Sequence, residues 1–129
     1  MTVEDLKSPS WNCVHFVSHE VAAPLRSSLP GMVTASIDGG PIEEDRQLFD
    51  YLAEALGFPD YFGRNWDAVD ECLRDLSWVP GTGYVLFVDH AARLWERGAR
   101  SAGALVESWL TAACEWNDEG IPFHLVFVW

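Results

Sequence analysis

The sequence predicts an α/β fold, a two-layer arrangement of a small three-stranded parallel sheet with about four helices, preceded by an N-terminal extension. Three observations predict it. From Met32 onward, strand-like and helical patterns alternate in the order β-α-α-β-α-α-β, and helical crossovers between successive strands impose parallel pairing. Tyr84–Val88 is apolar at every position, as expected of a strand covered on both faces. The chain has 129 residues, 49% of them hydrophobic, enough for one core without disulfides or a structural metal.

Residues 1–30 read as the extension and residues 31–129 as the main domain, with the boundary near Pro30-Gly31. Within the extension, Trp11–Val17 is a candidate additional strand, and AAPLRSSLPG after it is a connector rich in Pro, Ser and Gly. Met32–Ile37 is a short β-type run closed by the turn Asp38-Gly39-Gly40. Glu43–Leu56 is a helix with Leu48, Leu52, Ala55 and Leu56 on one side, acids in its first turn and Gly57 past its end. Asn65 caps the next helix, whose apolar face is Trp66, Val69, Cys72, Leu73 and Leu76. Tyr84–Val88 follows the turn Pro80–Gly83. His90–Arg97 is a short helix, and Arg100–Glu119 a longer one, with Leu105, Trp109, Ala112 and Trp116 at helical spacing. Ile121–Trp129 closes the chain as a strand.

Charge narrows the function. Twenty acids stand against eight Lys and Arg, a net of −12. That excludes a plain nucleic-acid binder, whose affinity comes from cations on phosphates, and an anionic membrane surface; the natural counterpart is a basic protein. Between Asp38 and Asp75 lie eleven acids and only Arg46, Arg64 and Arg74, so the acidity is concentrated. A solvated helical surface explains such a run as readily as a binding patch does. Cys13, Cys72 and Cys114 form no CxxC and read as reduced, mostly buried thiols. No secretory signal or membrane-spanning run is evident, so a cytoplasmic protein is expected.

Searches for catalytic motifs are negative: no GxGxxG, no phosphate loop, no GxSxG, and no cofactor is implied. His15 and His19, near Cys13 and Glu20, have the residue types of metal ligands, although surface histidines account for them equally. The informative stretch is PDYFGRNWDAVDECL, residues 59–73. Asp67, Asp70 and Glu71 fall at i, i+3 and i+4, on one side of the helix and away from Trp66, Val69 and Leu73. Such neighbours repel by a few tenths of a kcal/mol per pair, and only Arg74 is placed to relieve Asp70 and Glu71. Tyr61 and Phe62 precede this acidic face in a loop, as core plugs or as binding aromatics. Glu115, Asp118 and Glu119 occupy the last turns of their helix, where acids oppose the macrodipole.

Asp60 through Ala68 (DYFGRNWDA), continued by Glu71-Cys72-Leu73, resembles the barstar family of intracellular inhibitors of secreted ribonucleases. The likeness runs from Met32 to Trp129 and implies a barstar-like fold and a stoichiometric inhibitor, not an enzyme. In that family the loop and second helix plug the nuclease active site, and carboxylates stand where substrate phosphates lie. By motif position Tyr61 matches the loop tyrosine, Asp67 and Glu71 the two inhibitory acids, and Glu115 the acid of the last helix. The implied partner-binding set is Tyr61, Phe62, Gly63, Asn65, Asp67, Asp70, Glu71 and Glu115. The implied partner is a basic ribonuclease or toxin domain, bound by one inhibitor copy, with no metal involved. The sequence departs from the family's namesake at Glu71 (Asp there), at Asp70 (an exposed Trp there) and in the first 30 residues, which points to a different target surface. Two other readings of the same residues are an adaptor for some other basic protein and a carboxylate enzyme using Asp67, Glu71 and Glu115.

Overall fold

Two strands in this chain, Tyr84–Asp89 and Phe123–Val128, have no exposed position, and the architecture follows from what covers both of their faces. The computed structural model describes residues 1–129. In chain order the elements are α1 (Val3–Lys7), β1 (Val14–Val17), α2 (His19–Arg26), β2 (Val33–Asp38), α3 (Asp45–Leu56), α4 (Trp66–Asp75), β3 (Tyr84–Asp89), α5 (Ala91–Arg97), α6 (Ala99–Asp118) and β4 (Phe123–Val128). The four strands form one parallel sheet in the order β1-β4-β3-β2. None of the six helices is long and apolar enough to cross a membrane.

Alternation along the strands separates two apolar layers. Ala35, Ile37, Leu86, Val88, Phe123, Leu125 and Phe127 face α3 to α6 and build the larger core. Val85, Phe87, Val126 and Val128 face the other way, against Leu6 of α1 and Ala22, Leu25 and Leu29 of α2 and the segment after it. The extension therefore supplies both the edge strand β1 and the cover for the second face.

This corrects the expected architecture of three strands, about four helices and two layers. The sheet has four strands, six helices surround it, and helices lie on both faces. The candidate strand at Trp11–Val17 forms over Val14–Val17, pairing Val14 with Leu125 and Val17 with Val128. The segment read wholly as connector begins inside a helix that contains Pro24. Ser18 caps that helix by accepting the Val21 N–H at 3.3 Å, and the burial of Ala22 and Leu25 outweighs the interior proline.

Within the larger core Trp109 stacks on Phe123 with ring centroids 4.1 Å apart. The Trp116 indole N–H donates to the Leu73 carbonyl at 2.8 Å, and α4 is thereby tied to α6. The outer faces of these two helices carry the acidic residues singled out by the sequence.

Candidate functional site: an acidic loop and helix

The site is built from the loop between α3 and α4, from α4 itself and from the facing side of α6. Phe62 and Tyr61, adjacent in sequence, go opposite ways. Phe62 packs edge-on against Phe58 at 4.9 Å and Phe49 at 6.1 Å, so it anchors the loop to the core. Tyr61 is 75% exposed. Arg64 takes a left-handed conformation (φ 55°) and pairs with Asp50 of α3, which fixes the entry into α4. Asn65 caps that helix, accepting the Ala68 N–H at 2.8 Å while its side-chain amide donates to the Gly63 carbonyl at 3.3 Å. A Cβ on Gly63 would lie 3.2 Å from that amide, so glycine lets the cap close.

The orientation of α4 is set by its inward face. Val69, Cys72 and Leu73 are buried, and Trp66 packs against Phe49 at 5.1 Å. The Trp66 indole donates to Asp45 Oδ2 at 3.0 Å, and the Ser101 hydroxyl donates to Asp45 Oδ1 at 2.6 Å. One half-buried carboxylate thus joins the starts of α3, α4 and α6. Sequence reasoning assigned Asp45 only to the helix macrodipole.

Asp67 and Glu71 are exposed on the outward face of α4, and none of the chain's ion pairs uses either one. Glu71 and Tyr61 line the same dimple, about 110 Å³, with Gly63 and Asp75. Burial, then the nearby Asp75 and Glu71 charges, hold the Cys72 thiol pKa above its ordinary value. Asp67 lines a different groove, about 300 Å³, between α4 and α6, together with Asp70 and Glu107.

Asp70 does not share the outward face as the helical spacing implied. Its carboxylate turns toward α6 and accepts a hydrogen bond from the Ser108 hydroxyl at 2.5 Å. Nor does Arg74 relieve Asp70 and Glu71 by an ion pair. Its Nε lies 3.6 Å from Glu115 Oε2 and donates to the Asp70 backbone carbonyl at 3.2 Å. Glu115 is thereby linked to α4 through a cation, although it lies far away in sequence. Glu107 had been overlooked; it precedes Glu115 by eight residues on α6, and that helical spacing was the available signal.

The histidines considered as metal ligands are placed otherwise. His15 Nε2 lies 2.9 Å from His124 Nδ1, and His124 Nε2 donates to the Ser8 carbonyl at 2.8 Å. His19 lines a cavity at the carboxyl ends of the strands with Arg26 and Asp89. No three His, Cys, Asp or Glu side chains converge with the spacing of a metal site. Cys13 and Cys72 are buried free thiols, and Cys114 is exposed.

Chemically, α4 offers the unpaired carboxylates of Asp67 and Glu71, the latter beside the exposed Tyr61 phenol. Carboxylates bind guanidinium groups with strong, directional, often bidentate hydrogen bonds. A Bacillus subtilis (strain 168) protein named "Putative ribonuclease inhibitor YrdF" is 49% identical over 43 residues, which are 33% of this chain and 45% of that protein. The match therefore spans less than half of the relative's length. Among solved structures, a chain in "Structure of Drosophila ORC bound to AT-rich DNA and Cdc6" has a TM-score of 0.56 at 15% identity, covering 92% of this chain and 40% of that one. At that identity the likeness is one of fold. The model of the family described as Barstar (barnase inhibitor) matches residues 32–128, three quarters of the chain including the whole loop, α4 and α6, and this chain belongs to that family.

Proposed function

We propose that the protein is a stoichiometric inhibitor that blocks the basic active site of a ribonuclease or nuclease toxin, one inhibitor site per nuclease. It would act in the cytoplasm, as an immunity protein does. The observation that carries this reading is that Asp67 and Glu71, exposed on α4, have no cationic partner of their own, and that Glu71 shares a dimple with the exposed Tyr61. A chain with a net charge of −12 also attracts a basic enzyme before contact. Charge complementarity of this kind acts mainly on the rate of encounter and on the choice of partner.

In this reading Asp67 and Glu71 occupy the positions of substrate phosphates among the arginines, lysines and histidines of the nuclease cleft. Tyr61 packs on the cleft wall. Phe62, Gly63 and Asn65 hold the loop in shape, Asp70 braces α4 against α6, and Glu115 with its Arg74 partner borders the contact. Glu71 reaches one methylene further than an aspartate would, which selects a target whose cation lies correspondingly deeper or more laterally.

The test is inhibition of RNA cleavage by candidate basic nucleases, titrated to the equivalence point, with Asp67→Ala, Glu71→Ala and the double variant alongside. An equivalence point of one site per nuclease, lost in the double variant, is the expected result. Unchanged protection by the double variant would overturn the site assignment.

A further inference from the structure

β1 is an edge with no guard. It pairs with β4 on one side only. The carbonyls of Cys13 and Val17 face β4, accepting the Leu125 and Trp129 N–H groups at 2.8 Å each. The alternation of a parallel ladder then turns the N–H and C=O of Val14 and Phe16 outward. Natural edges are usually blunted by a charge, a proline or a bulge. Here no Asp, Glu, Lys or Arg occurs from Ser8 to His19, and no proline lies within β1.

The same edge is aromatic. Phe16 is 57% exposed and Trp129 52%, with their rings 5.5 Å apart, and Phe16 stacks on Phe127 at 5.1 Å. A singly exposed aromatic residue is ordinary, but two in contact along a free edge form a surface.

We propose that this edge joins two copies of the chain: β1 pairs antiparallel with β1 of a second copy about a two-fold axis at His15, and the two four-stranded sheets become one of eight strands. A two-fold contact requires a surface that complements itself, and this edge does. Setting His15 opposite His15 of the second copy places Val14 against Phe16 twice. Each outward N–H then meets an outward C=O, giving four cross-strand hydrogen bonds that use both outward-facing residues of the strand. Phe16 and Val14 of the second copy share the sheet face that already carries Phe127 and Trp129.

Charge opposes a second copy less at β1 than on the acidic helices. No charged residue lies within β1 itself; the acids nearest the axis, Glu4 and Asp5 of α1, line a hollow with His15, so added salt, which screens them, is expected to strengthen association. His15 on the axis is neutral at pH 7, because burial and the adjacent His124 hold its pKa near 4. Each large aromatic side chain contributes about 150–250 Å² when fully buried, so the covered area is small for a dimer and the association is a weak, reversible one. The α4 face lies outside this edge, so each copy keeps its acidic site and a dimer would take two nucleases.

The test uses the full chain in sedimentation equilibrium from about 1 to 500 μM at pH 7.5, with amide exchange at both ends of that range. The expected mass rises with concentration from the 14.5 kDa of one chain toward twice that value. The Val14 and Phe16 amides gain at least about tenfold protection on association, while those of His15 and Val17 do not change. Phe16→Lys is expected to stay monomeric at every concentration with an unchanged circular dichroism spectrum. A mass that stays at one chain, or a dimer whose Val14 and Phe16 amides remain unprotected, would overturn the proposal. So would a Phe16→Lys variant that is folded and still dimeric through the same amides.

Discussion

The Ser108 hydroxyl donates to Asp70 Oδ1 at 2.5 Å across the interface between α4 and α6. Asp70 is half-buried and Ser108 is 6% exposed, so this carboxylate serves the packing of the two helices. A hydrogen bond to a charged group contributes about 1.5–3 kcal/mol, and the partner left behind keeps its desolvation cost. Asp70→Ala is therefore expected to lower unfolding free energy by about 2 kcal/mol. Urea denaturation measures that loss. Nuclease binding should fall less than in Asp67→Ala, whose carboxylate has no internal partner.

Arg74 and Glu115 form a partly exposed pair at 3.6 Å, with side chains 41% and 60% exposed. Exposed pairs of this kind contribute little to stability. The pair nevertheless places one positive charge on a face that is otherwise acidic. Arg74→Gln is expected to change stability by less than about 0.5 kcal/mol. It should raise the association rate with a basic nuclease at low ionic strength, and the gain should vanish as salt shortens the Debye length. Stopped-flow mixing across a salt series checks both halves; a rate that does not respond to salt would count against steering by this face.

Asp45 holds Trp66 and Ser101 through its two carboxylate oxygens. Removing it leaves two donors unpaired at the point where three helices begin. Asp45→Ala is expected to cost about 3 kcal/mol, and Asp45→Asn less, because the amide oxygen still accepts one of the two bonds. Target dissociation should quicken with Asp45→Ala, since α4 loses its anchor, although Asp45 itself lies behind the binding face. Thermal or urea denaturation with a parallel dissociation-rate measurement separates the two variants.

Much of this arrangement was legible in the residues. The buried strand β3 declared itself by the unbroken apolar run Tyr84–Val88, and α3, α4 and α6 by helical spacing, with Gly57 marking the end of α3 and Asn65 the start of α4. The first thirty residues were less legible. Pro24 within α2 argues for a connector, and the helix persists because tertiary burial of Ala22 and Leu25 overrides local propensity. Helical spacing put Asp67, Asp70 and Glu71 on one side, but spacing cannot show that Ser108, 38 residues away, turns Asp70 inward. The Arg74–Glu115 link was hidden for the same reason. Local rules pair Arg74 with neighbours on its own helix, whereas packing of α4 on α6 supplies a carboxylate from outside it.

The His15–His124 pair makes stability depend on pH in a defined window. Burial first, then the neighbouring His124, lowers the His15 pKa from 6.5 to about 4; burial lowers that of His124 as well. Asp5 of α1 acts in the opposite sense on both rings, and the chain's N-terminal amine adds to the lowering at His15. Because the folded-state pKa is depressed, the unfolded chain binds more protons between the two values, and stability rises with pH across that range. It is fully present above about pH 6.5, is lost as pH falls, and the His15 contribution levels off near pH 4. The whole shift would correspond to about 3 kcal/mol, and partial exposure of the ring reduces the expected loss to about 1–2 kcal/mol. His15→Gln removes one titrating group, so its stability should fall less steeply over the same interval. Urea unfolding at half-unit steps from pH 7 to 4.5 measures both slopes. The loss should also begin at the extension, since His124 holds the Ser8 carbonyl and its protonation beside His15 sets two like charges 2.9 Å apart. A wild-type slope no steeper than that of His15→Gln would show that this pair does not titrate on unfolding.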